Sequence, residues 1–411
     1  MALKMNSHDV IIVGAGPAGS TCAARLHQLW LRVKLIDKKV FPRVKPCAGW
    51  STPQVIESLM IDVEDYRDRN TLQPITGFRT GMLGGRMIAT NYRTPVSFGI
   101  RRIEFDDYLL RRSGGCWEPE MIKRIDRQGS SGGINGRYSA PLLIGAGGHF
   151  CPIARFVRGQ VVKQDTNQAR KDSGDSIVVF AQEVEFEISP SQRASGELSG
   201  EKPELYFCRD LKGYGWCFRK GNFLNIGLGR TEKSDLSWHV HQFCDLLRSH
   251  GKLVDAFPQK FQGHAYRLYA QRQPLLCDDG VLLVGDAAGL AYPQSGEGIR
   301  PAVESALIAA DVVACSNEDY GKKALSNYAS RLEARLGKAR PIQTAPWMPV
   351  AWLQNMATGL MATRWFAKNV VIENWFLNRN QNALKISQRK LDPGRQFQPS
   401  GLAGNQTGSQ G

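Results

Sequence analysis

The apolar positions near the N-terminus predict a strand, a helix and a second strand. Val10 to Val13 form a short apolar run, which suits a buried parallel strand. A helix is predicted from roughly Ala18 to Leu29, and the next strand covers Arg32 to Ile36. This order of elements predicts a β-α-β unit, from which parallel sheets are built.

Three glycines mark the turn between the first strand and the helix. The segment reads Gly14-Ala15-Gly16-Pro17-Ala18-Gly19. Gly14 permits a tight turn, Gly16 lets the backbone approach a pyrophosphate, and Gly19 lets the helix pack close to the strand, with its positive N-terminal end towards the phosphates. Asp37, after the second strand, is expected to bind a ribose hydroxyl. The alternative is a glycine turn in an unrelated α/β protein. Such a turn would not explain why a strand, a helix, a second strand and an acidic residue all occur at the expected positions.

A second glycine motif lies far along the chain. Val281 to Val284 form another apolar run, Gly285-Asp286 follows, and Gly296-Glu297-Gly298-Ile299 opens a helix predicted from Ile299 to about Ala314. The Asp286 carboxylate can accept a hydrogen bond from a ribityl hydroxyl, although a helix cap is its alternative role. The free N–H groups of the helix can face the flavin edge that gains negative charge on reduction. A nicotinamide enzyme would not need this second motif, so the two motifs together predict an FAD site.

Later segments predict a second, strand-rich part of the chain. Tyr214, Trp216 and Phe218 alternate along one strand and therefore share a face. Such a wall would suit a flat flavin and an apolar substrate, but an ordinary core face is an equally good interpretation. Glycine, lysine and asparagine between the apolar runs indicate turns. The runs are Ile177–Ala181, Val184–Ile188, Leu205–Cys208, Gly215–Arg219 and Phe223–Leu228.

Composition narrows the class of protein. The 411 residues leave room for two domains and a large core. The nine cysteines are scattered without a Cys-x-x-Cys pair, which favours a reducing cytosol over a disulfide scaffold or zinc site. His239 and His241 lack a nearby third ligand, so no metal is predicted. We find no signal peptide and no run of about 18 apolar residues, and we expect a cytoplasmic protein.

Nearly half of the net charge of +15 lies near the C-terminus. Residues 338–395 contain nine Lys and Arg against two acids, together with four of the nine tryptophans. This mixture suits a helix lying on an anionic bilayer, on the cytoplasmic face of a membrane. A packed helical subdomain with solvated basic residues explains it equally well, and the two interpretations are compatible. Nucleic acid also attracts such charge, but no nucleic-acid motif accompanies it, so that partner is not predicted.

These motifs resemble the para-hydroxybenzoate-hydroxylase class of flavoproteins. The resemblance covers most of residues 8–335 and rests on the two glycine motifs and on a third, Leu142 to Gly148. Gly147 stands where the class has Asp, so the contacts of that Asp are not carried over. Phe150 replaces a third glycine, and a separate nicotinamide-binding domain is therefore not predicted.

Two further stretches resemble the geranylgeranyl reductase family within this class. Lys45-Pro46-Cys47-Ala48-Gly49 is similar to the family's Lys-Pro-Cys-Gly-Gly loop, with Ala48 in place of a glycine. Tyr214 to Phe218 matches its Tyr-x-Trp-x-Phe strand, although Arg219 replaces the proline that usually follows.

The resemblance implies an α/β fold in three parts. A Rossmann-type FAD-binding domain is interleaved with an antiparallel-sheet substrate domain, and a helical C-terminal region follows. The predicted ranges are 8–78, 99–160 and 265–335 for the FAD-binding domain, 79–98 and 175–264 for the substrate domain, 336–392 for the helical region, and 393–411 for a disordered tail.

The implied activity is reduction of carbon–carbon double bonds in a polyprenyl group or related apolar lipid, with hydride from reduced FAD. The electron donor would be NAD(P)H or another reductant. The alkene would lie against Tyr214, Trp216 and Tyr292, and Cys47 or water would supply the proton. Alternatives are an aromatic monooxygenase and a flavin-binding, membrane-associated protein without turnover. A halogenase is less well supported because its Trp-x-Trp-x-Ile-Pro motif is absent.

The predicted site follows from these motifs. Cys47, Tyr214 and Trp216 are the predicted catalytic residues. Arg101 and Arg102 resemble the arginine helix of the class, and which of the two lies at the FAD stays open. The predicted cofactor-binding residues are Gly14, Gly16, Pro17, Ala18, Gly19, Asp37, Lys38, Cys47, Ala48, Gly49, Arg101, Arg102, Gly285, Asp286, Pro293, Gly296, Gly298 and Ile299. The oligomeric state is not predicted.

Overall fold

The computed structural model describes residues 5–115, 117–129, 131–164, 177–194, 197–254, 257–258, 260–270, 275–339 and 350–386. The predicted tail, 393–411, lies outside these ranges. The strands in chain order are β1 Asn6–Ser7, β2 Val10–Val13, β3 Val33–Asp37, β4 Trp50–Ser51, β5 Leu72–Ile75, β6 Gly77–Met82, β7 Ile88–Asn91, β8 Ser97–Ile100, β9 Trp117–Pro119, β10 Ile125–Gln128, β11 Ser131–Ile134, β12 Tyr138–Ala140, β13 Leu142–Gly145, β14 Val178–Glu187, β15 Glu204–Phe207, β16 Gly213–Lys220, β17 Phe223–Arg230, β18 Gln262–Arg267, β19 Cys277–Asp278 and β20 Val281–Leu283.

The helices flank these strands and also build the C-terminal region. They are α1 Pro17–Gln28, α2 Pro53–Ser58, α3 Val63–Arg69, α4 Arg102–Arg111, α5 Pro152–Gln164, α6 Pro190–Ala194, α7 Leu236–Ser249, α8 Ile299–Cys315, α9 Lys322–Leu336 and α10 Val350–Met361, with a 3-10 turn at Gly285–Ala287 and a π-helix at Phe366–Phe376.

A six-stranded Rossmann-type sheet forms the first core. Its order is β19-β20-β13-β2-β3-β9, and every pair is parallel except β19 with β20. All four residues of β2 are buried, as the continuous apolar run predicts. Val13 pairs with Ile36 on one side and with Gly145 on the other. The carboxyl ends of β3, β2 and β13 therefore meet at one edge of the sheet.

A seven-stranded sheet forms the second core. Its order is β18-β14-β17-β16-β15-β6-β7, antiparallel throughout except for the parallel pair β15 and β6. One face packs on α7, and the other packs on the π-helix and carries Trp216 and Phe218. The predicted fold class, with a Rossmann-type sheet, a mainly antiparallel sheet and C-terminal helices, is confirmed.

The predicted domain limits do not coincide with the ends of strands. The limit at 78/79 falls inside β6, the limit at 98/99 inside β8, and the limit at 264/265 inside β18. Strand β8 joins β4 and β5 in a separate three-stranded sheet. Hydrophobic alternation marks a strand but does not mark the sheet that it joins, so the division into domains stays a prediction.

The C-terminal region contacts the seven-stranded sheet, strand β4 and the helices α8 and α2. Phe376 of the π-helix stacks on Trp50 with ring centroids 5.0 Å apart. Farther along, the Gln381 carbonyl accepts a hydrogen bond from Arg300 Nη2 at 2.7 Å. The Leu384 N–H donates to Ser58 Oγ at 3.1 Å. Among the described residues, no helix is both long and apolar enough to cross a membrane.

Candidate functional site

A cleft opens at the carboxyl edge of the Rossmann-type sheet and extends to the aromatic face of the seven-stranded sheet. Its first wall consists of Gly16 to Ala18 after β2, Asp37 to Lys39 after β3, and Ala146 to Phe150 after β13. Ligands of open α/β sheets bind at this edge, where the parallel strands end.

The turn after β2 has the geometry that a pyrophosphate site requires. Gly14 has φ of +110° and lies against the Ala146 backbone, which leaves no space for a Cβ atom. Gly19 lies equally close to the Gly14 carbonyl, so α1 begins directly beside the turn. The Ala15 N–H donates to Asp37 Oδ2 at 2.8 Å. The glycines therefore let strand and helix approach, and Asp37 is fixed beside the turn.

Asp286 lies in a cluster of charged and titratable groups at the centre of the cleft. His264 Nε2 is 3.7 Å from Asp286 Oδ2, and Lys45 Nζ is 3.0 Å from His264 Nδ1. Burial lowers the pKa of Lys45 to about 8 despite the attraction of Asp286. Burial also lowers the pKa of His264. At neutral pH the cluster therefore combines an ammonium, a neutral imidazole and a carboxylate.

Sequence reasoning did not identify Lys45 or His264 as site residues. Lys45 was named only as part of the loop around Cys47. His264 lies within β18, which has no clear hydrophobic alternation, and no motif marks it. Only the pairing of β18 with β14 brings it to the cleft, opposite Ala181.

The structure distinguishes the two candidate arginines. Arg102 begins α4, lines the cleft and forms a buried, two-pronged pair with Asp106 at 2.8 and 2.9 Å. The guanidinium of Arg102 also lies beside the Cys47 thiol. Arg101 faces away from the cleft, where it binds Glu185 at 2.9 Å. Arg102 is thus the arginine at the site.

Aromatic side chains form the far wall of the cleft. Tyr214, Trp216, Tyr266 and Trp50 line it, and the Tyr214 hydroxyl donates to the Ser295 carbonyl. Phe218, the third aromatic of the strand, is only 2% exposed and lies in the core. Tyr214 and Trp216 thus form a wall of the cleft, whereas Phe218 belongs to an ordinary core face.

A buried polar network lies behind Cys47 and Trp216. The Trp216 indole N–H donates to Asn225 Oδ1 at 2.7 Å. Asn225 Nδ2 lies 3.4 Å from Glu185 and 3.5 Å from Glu183. The Lys220 ammonium, on a side chain only 1% exposed, pairs with Glu185 Oε2 at 2.5 Å. The network fixes the orientation of the Trp216 ring, and sequence reasoning did not identify it.

Two carboxyl groups in the cleft hold protons near neutral pH. Burial raises the pKa of Glu183 to about 7, although Lys220 and the Cys47 N–H oppose the change. Burial raises the pKa of Glu297 to about 8, opposed mainly by Arg300. Neither carboxyl oxygen of Glu297 makes a hydrogen bond of ordinary geometry among the described residues. Carboxyl groups with such pKa values are typical of functional sites.

Most predicted site residues line this cleft. They are Gly16, Pro17, Ala18, Asp37, Lys38, Cys47, Ala48, Arg102, Tyr214, Trp216, Asp286, Gly296, Gly298 and Ile299. The others do not line it: Gly14, Gly19, Gly49, Arg101, Gly285 and Pro293. Of these, Gly14, Gly19 and Gly285 shape the turns around it. Tyr292, which we expected beside the alkene, is also outside, and its hydroxyl donates to Gln381 at 3.3 Å.

The cleft fits FAD in its donor groups and in its close backbone approaches. The N-terminal end of α1 suits a pyrophosphate, and Asp37 suits a ribose. A Cβ atom at Gly298 would lie 3.0 Å from Asp286 Oδ1, so glycine keeps the start of α8 open beside that carboxylate. Among the described residues, no group of three or more His, Cys, Asp and Glu could hold a metal ion.

Comparison with known proteins supports this interpretation of the cleft. No protein-family model matches the chain. An uncharacterized protein of Methanosarcina barkeri is 29% identical over 323 residues, 76% of each chain. A geranylgeranyl diphosphate reductase of Rhodobacter capsulatus is 27% identical over 317 residues, 71% of each. A digeranylgeranylglycerophospholipid reductase of Methanosphaera stadtmanae is 26% identical over 370 residues, 82% of this chain and 85% of that protein.

Solved structures show the same fold. A geranylgeranyl bacteriochlorophyll reductase-like protein of Thermoplasma acidophilum superimposes with a TM-score of 0.66 at 21% identity, over 81% of this chain and 84% of that one. A flavin-dependent brominase superimposes with a TM-score of 0.60 at 16% identity, over 80% and 84%.

The fold, the cleft and these relatives define an FAD-dependent oxidoreductase of Rossmann type. Within that class the chain is similar to the geranylgeranyl reductases, and the resemblance predicted from its sequence is confirmed.

Proposed function

We propose that this protein binds FAD in the cleft and reduces carbon–carbon double bonds in the polyprenyl chain of a lipid. The proposal rests on the observation that a nucleotide-binding surface and an aromatic surface line the same cleft. The nucleotide-binding turns form one wall, and Tyr214, Trp216 and Cys47 form the other. The reductase names of several relatives support the same activity.

The residues of the first wall have distinct roles in holding the cofactor. The N–H groups at the start of α1 bind the pyrophosphate, Asp37 binds the ribose of the adenosine half, and Asp286 binds the ribityl chain. Residues 296–299 present the N-terminal end of α8 to the flavin ring, and Arg102 adds positive charge near Cys47. When bound, reduced FAD supplies the hydride.

The residues of the second wall hold the substrate and exclude water. Tyr214 and Trp216 present apolar ring surface to the prenyl chain while their polar atoms are bound to Ser295 and Asn225. The rings are thereby fixed before substrate binds, which favours a defined position for the double bond. NAD(P)H or another reductant reaches the flavin from outside, because the third glycine motif, on β13, belongs to the FAD-binding sheet and not to a separate domain.

An anaerobic single-turnover experiment tests the proposal. The purified flavoprotein is photoreduced without oxygen and mixed with a geranylgeranyl lipid, and the absorbance of oxidised flavin is followed. We expect the flavin to reoxidise and mass spectrometry to show a saturated lipid. Trp216→Ala should slow this step, whereas Trp238→Ala, an exposed tryptophan on α7, should not. Reoxidation only after air is admitted would instead favour an aromatic monooxygenase, and a protein without bound flavin would contradict the proposal.

We also propose that the protein contacts an anionic membrane surface through α10. Trp352, Met356 and Leu360 recur every four residues along this helix and are 51%, 42% and 38% exposed, and Trp365 just beyond it is 68% exposed. Arg364 lies beside this apolar stripe and is exposed. Apolar and basic side chains in this arrangement suit a bilayer interface. Four more basic residues of the predicted segment 338–395 are described and exposed: Lys338, Lys368, Arg379 and Lys385. The other four, Arg340, Arg389, Lys390 and Arg395, lie outside the described residues.

Vesicle co-sedimentation tests the membrane contact. We expect the protein to sediment with vesicles that contain anionic phospholipid and to remain in solution with purely zwitterionic ones. Trp352→Ala combined with Leu360→Ala should abolish sedimentation, and Trp238→Ala is the matched control. Equal binding by all three proteins would contradict this surface as the contact.

A further inference from the structure

We propose that Glu183 is the catalytic acid that donates a proton to the substrate double bond. This inference rests on the proposed reductase function. Glu183 lies on β14, lines the cleft with Cys47 and Trp216, and is only 6% exposed. No sequence motif marks it, and the resemblance to known families assigned the proton to Cys47 or water.

The backbone brings this carboxyl group to the catalytic wall. Glu183 pairs across the sheet with Gly227, which in turn pairs with Trp216. A Cβ atom at Gly227 would lie 2.7 Å from the Glu183 Cβ and would also collide with the Trp216 indole. The glycine therefore lets the acid and the indole occupy adjacent positions over the same strand.

The partners of Glu183 leave it without a neutralising cation. The Cys47 N–H and Asn225 Nδ2 are its hydrogen-bond donors. The nearby Lys220 is engaged by Glu185 and by the carbonyls of Ala48 and Ile100, at 3.1 Å each. Among the described residues, no Lys or Arg forms an ion pair with Glu183. The charge of Glu185 opposes ionisation of Glu183 and so raises its pKa further.

These surroundings keep the acid partly protonated at neutral pH. Burial raises the pKa of Glu183 to about 7, close to the value at which a general acid is most effective. The other proton-bearing groups are less suited. The Tyr214 hydroxyl is bonded to the Ser295 carbonyl and its pKa is raised by burial. Glu297 lies at the start of α8 with Arg300 and Glu304 as its charged neighbours.

The proposed step balances in atoms and charge. The carboxyl O–H bond of Glu183 breaks, and its hydrogen forms a C–H bond at one alkene carbon. The other alkene carbon receives the hydride, whose two electrons come from the reduced cofactor. Glu183 is left as a carboxylate, and water returns its proton before the next cycle.

Single turnover as a function of pH tests the role of Glu183. In the anaerobic assay, the rate of the wild-type protein should fall as pH rises through about 7, because the acid loses its proton. Glu183→Gln should lower the rate at least about a hundredfold and remove this pH dependence. Glu183→Asp keeps an acid and should retain part of the rate. Glu187→Gln, an exposed position on the same strand, is the control and should behave as the wild type.

Unfolding of the cofactor-free protein provides an independent measurement. The pKa of Glu183 is about 7 in the fold against 4.5 for an unperturbed Glu, so the unfolded chain loses its proton first as pH rises. The wild type therefore loses stability relative to Glu183→Gln between pH 4.5 and 7, and the difference is constant above pH 7. A difference that does not change over this range would overturn the proposal.

The outcomes separate this inference from the proposed function. If the wild-type protein reduces the lipid and Glu183→Gln does so equally fast, the inference is overturned while the reductase function stands. A rate loss in Glu297→Gln alone would assign the proton to that carboxyl instead. If the wild-type protein gives no reduction at any pH, the proposed function fails and the catalytic role of Glu183 fails with it.

Discussion

Replacing Glu304 by Gln is expected to lower the free energy of unfolding by about 3–5 kcal/mol. Glu304 lies on α8 and is only 1% exposed. Its carboxylate accepts hydrogen bonds from Arg300 Nε at 2.9 Å, and from Arg335 Nη2 at 2.6 Å and Nε at 2.8 Å. Arg300 is itself fully buried. The substitution preserves the shape of the side chain but removes the negative charge to which both guanidinium groups are bonded.

The magnitude follows from the burial of this triad. A pair of unit charges about 4 Å apart interacts by about 4 kcal/mol at an effective dielectric constant of about 20. The amide of the new Gln also has an N–H donor that would face a guanidinium donor, so part of the hydrogen bonding is lost as well. Since protein stabilities are about 5–15 kcal/mol, the loss would be a large share of the total.

Urea unfolding followed by tryptophan fluorescence measures this effect. The matched control is Glu64→Gln, because Glu64 is 76% exposed in its pair with Arg67 and should contribute less than about 1 kcal/mol. Equal losses of stability in the two variants would refute the reasoning, since burial would then make no difference to the ion pair.

Two further substitutions test the turn and the C-terminal packing. Gly19→Ala should weaken FAD binding at least about tenfold, or ~1.4 kcal/mol, because a methyl group there would collide with the Gly14 carbonyl. Flavin titration measures it, and Gly359→Ala, in open space on α10, should bind normally. Phe376→Ala should lower stability by about 3–5 kcal/mol, because the ring is 1% exposed and packs between Trp50 and Tyr214. Trp365→Ala should change stability by less than about 0.5 kcal/mol in the same urea assay; a similar loss in both would contradict the packing argument.

The parts of the fold that the sequence predicts well are those fixed by local signals. Strand β2 has the predicted limits, and α1 begins at Pro17, one residue before the expected start. Helix α8 begins at Ile299 as predicted and ends one residue later than expected, at Cys315. Glycine turns and apolar runs set the limits of these elements. Because those features lie within a few residues of each limit, the local sequence is enough to predict it.

The polar groups of the site could not be predicted because strands far apart in the sequence must pair to bring them together. Glu183, Glu185 and Glu187 alternate along β14, and the sequence does not distinguish them. Glu187 is exposed, yet Glu183 accepts a hydrogen bond from the Cys47 N–H and Glu185 pairs with Lys220. His264 contacts Lys45 although the two residues are 219 positions apart in the sequence. The choice between Arg101 and Arg102 depended on the direction of α4, which the two adjacent residues cannot reveal. In the π-helix, polar residues such as Lys368 and Glu373 interrupt the apolar ones without a 3.6-residue repeat, so it has no periodic signal.

The described C-terminal chain also restricts how the protein can move. Phe376 packs against Trp50 and against Tyr214 of the seven-stranded sheet. Gln381 and Leu384 then bond to Arg300 of α8 and Ser58 of α2, so the chain links that sheet to two helices. Opening the sheets like a hinge would expose that packing and break these buried bonds together. If the substrate is a long lipid, we expect it to reach the catalytic wall lengthwise through the mouth of the cleft. The length of tail that fits inside would then determine which double bond stops beside Trp216.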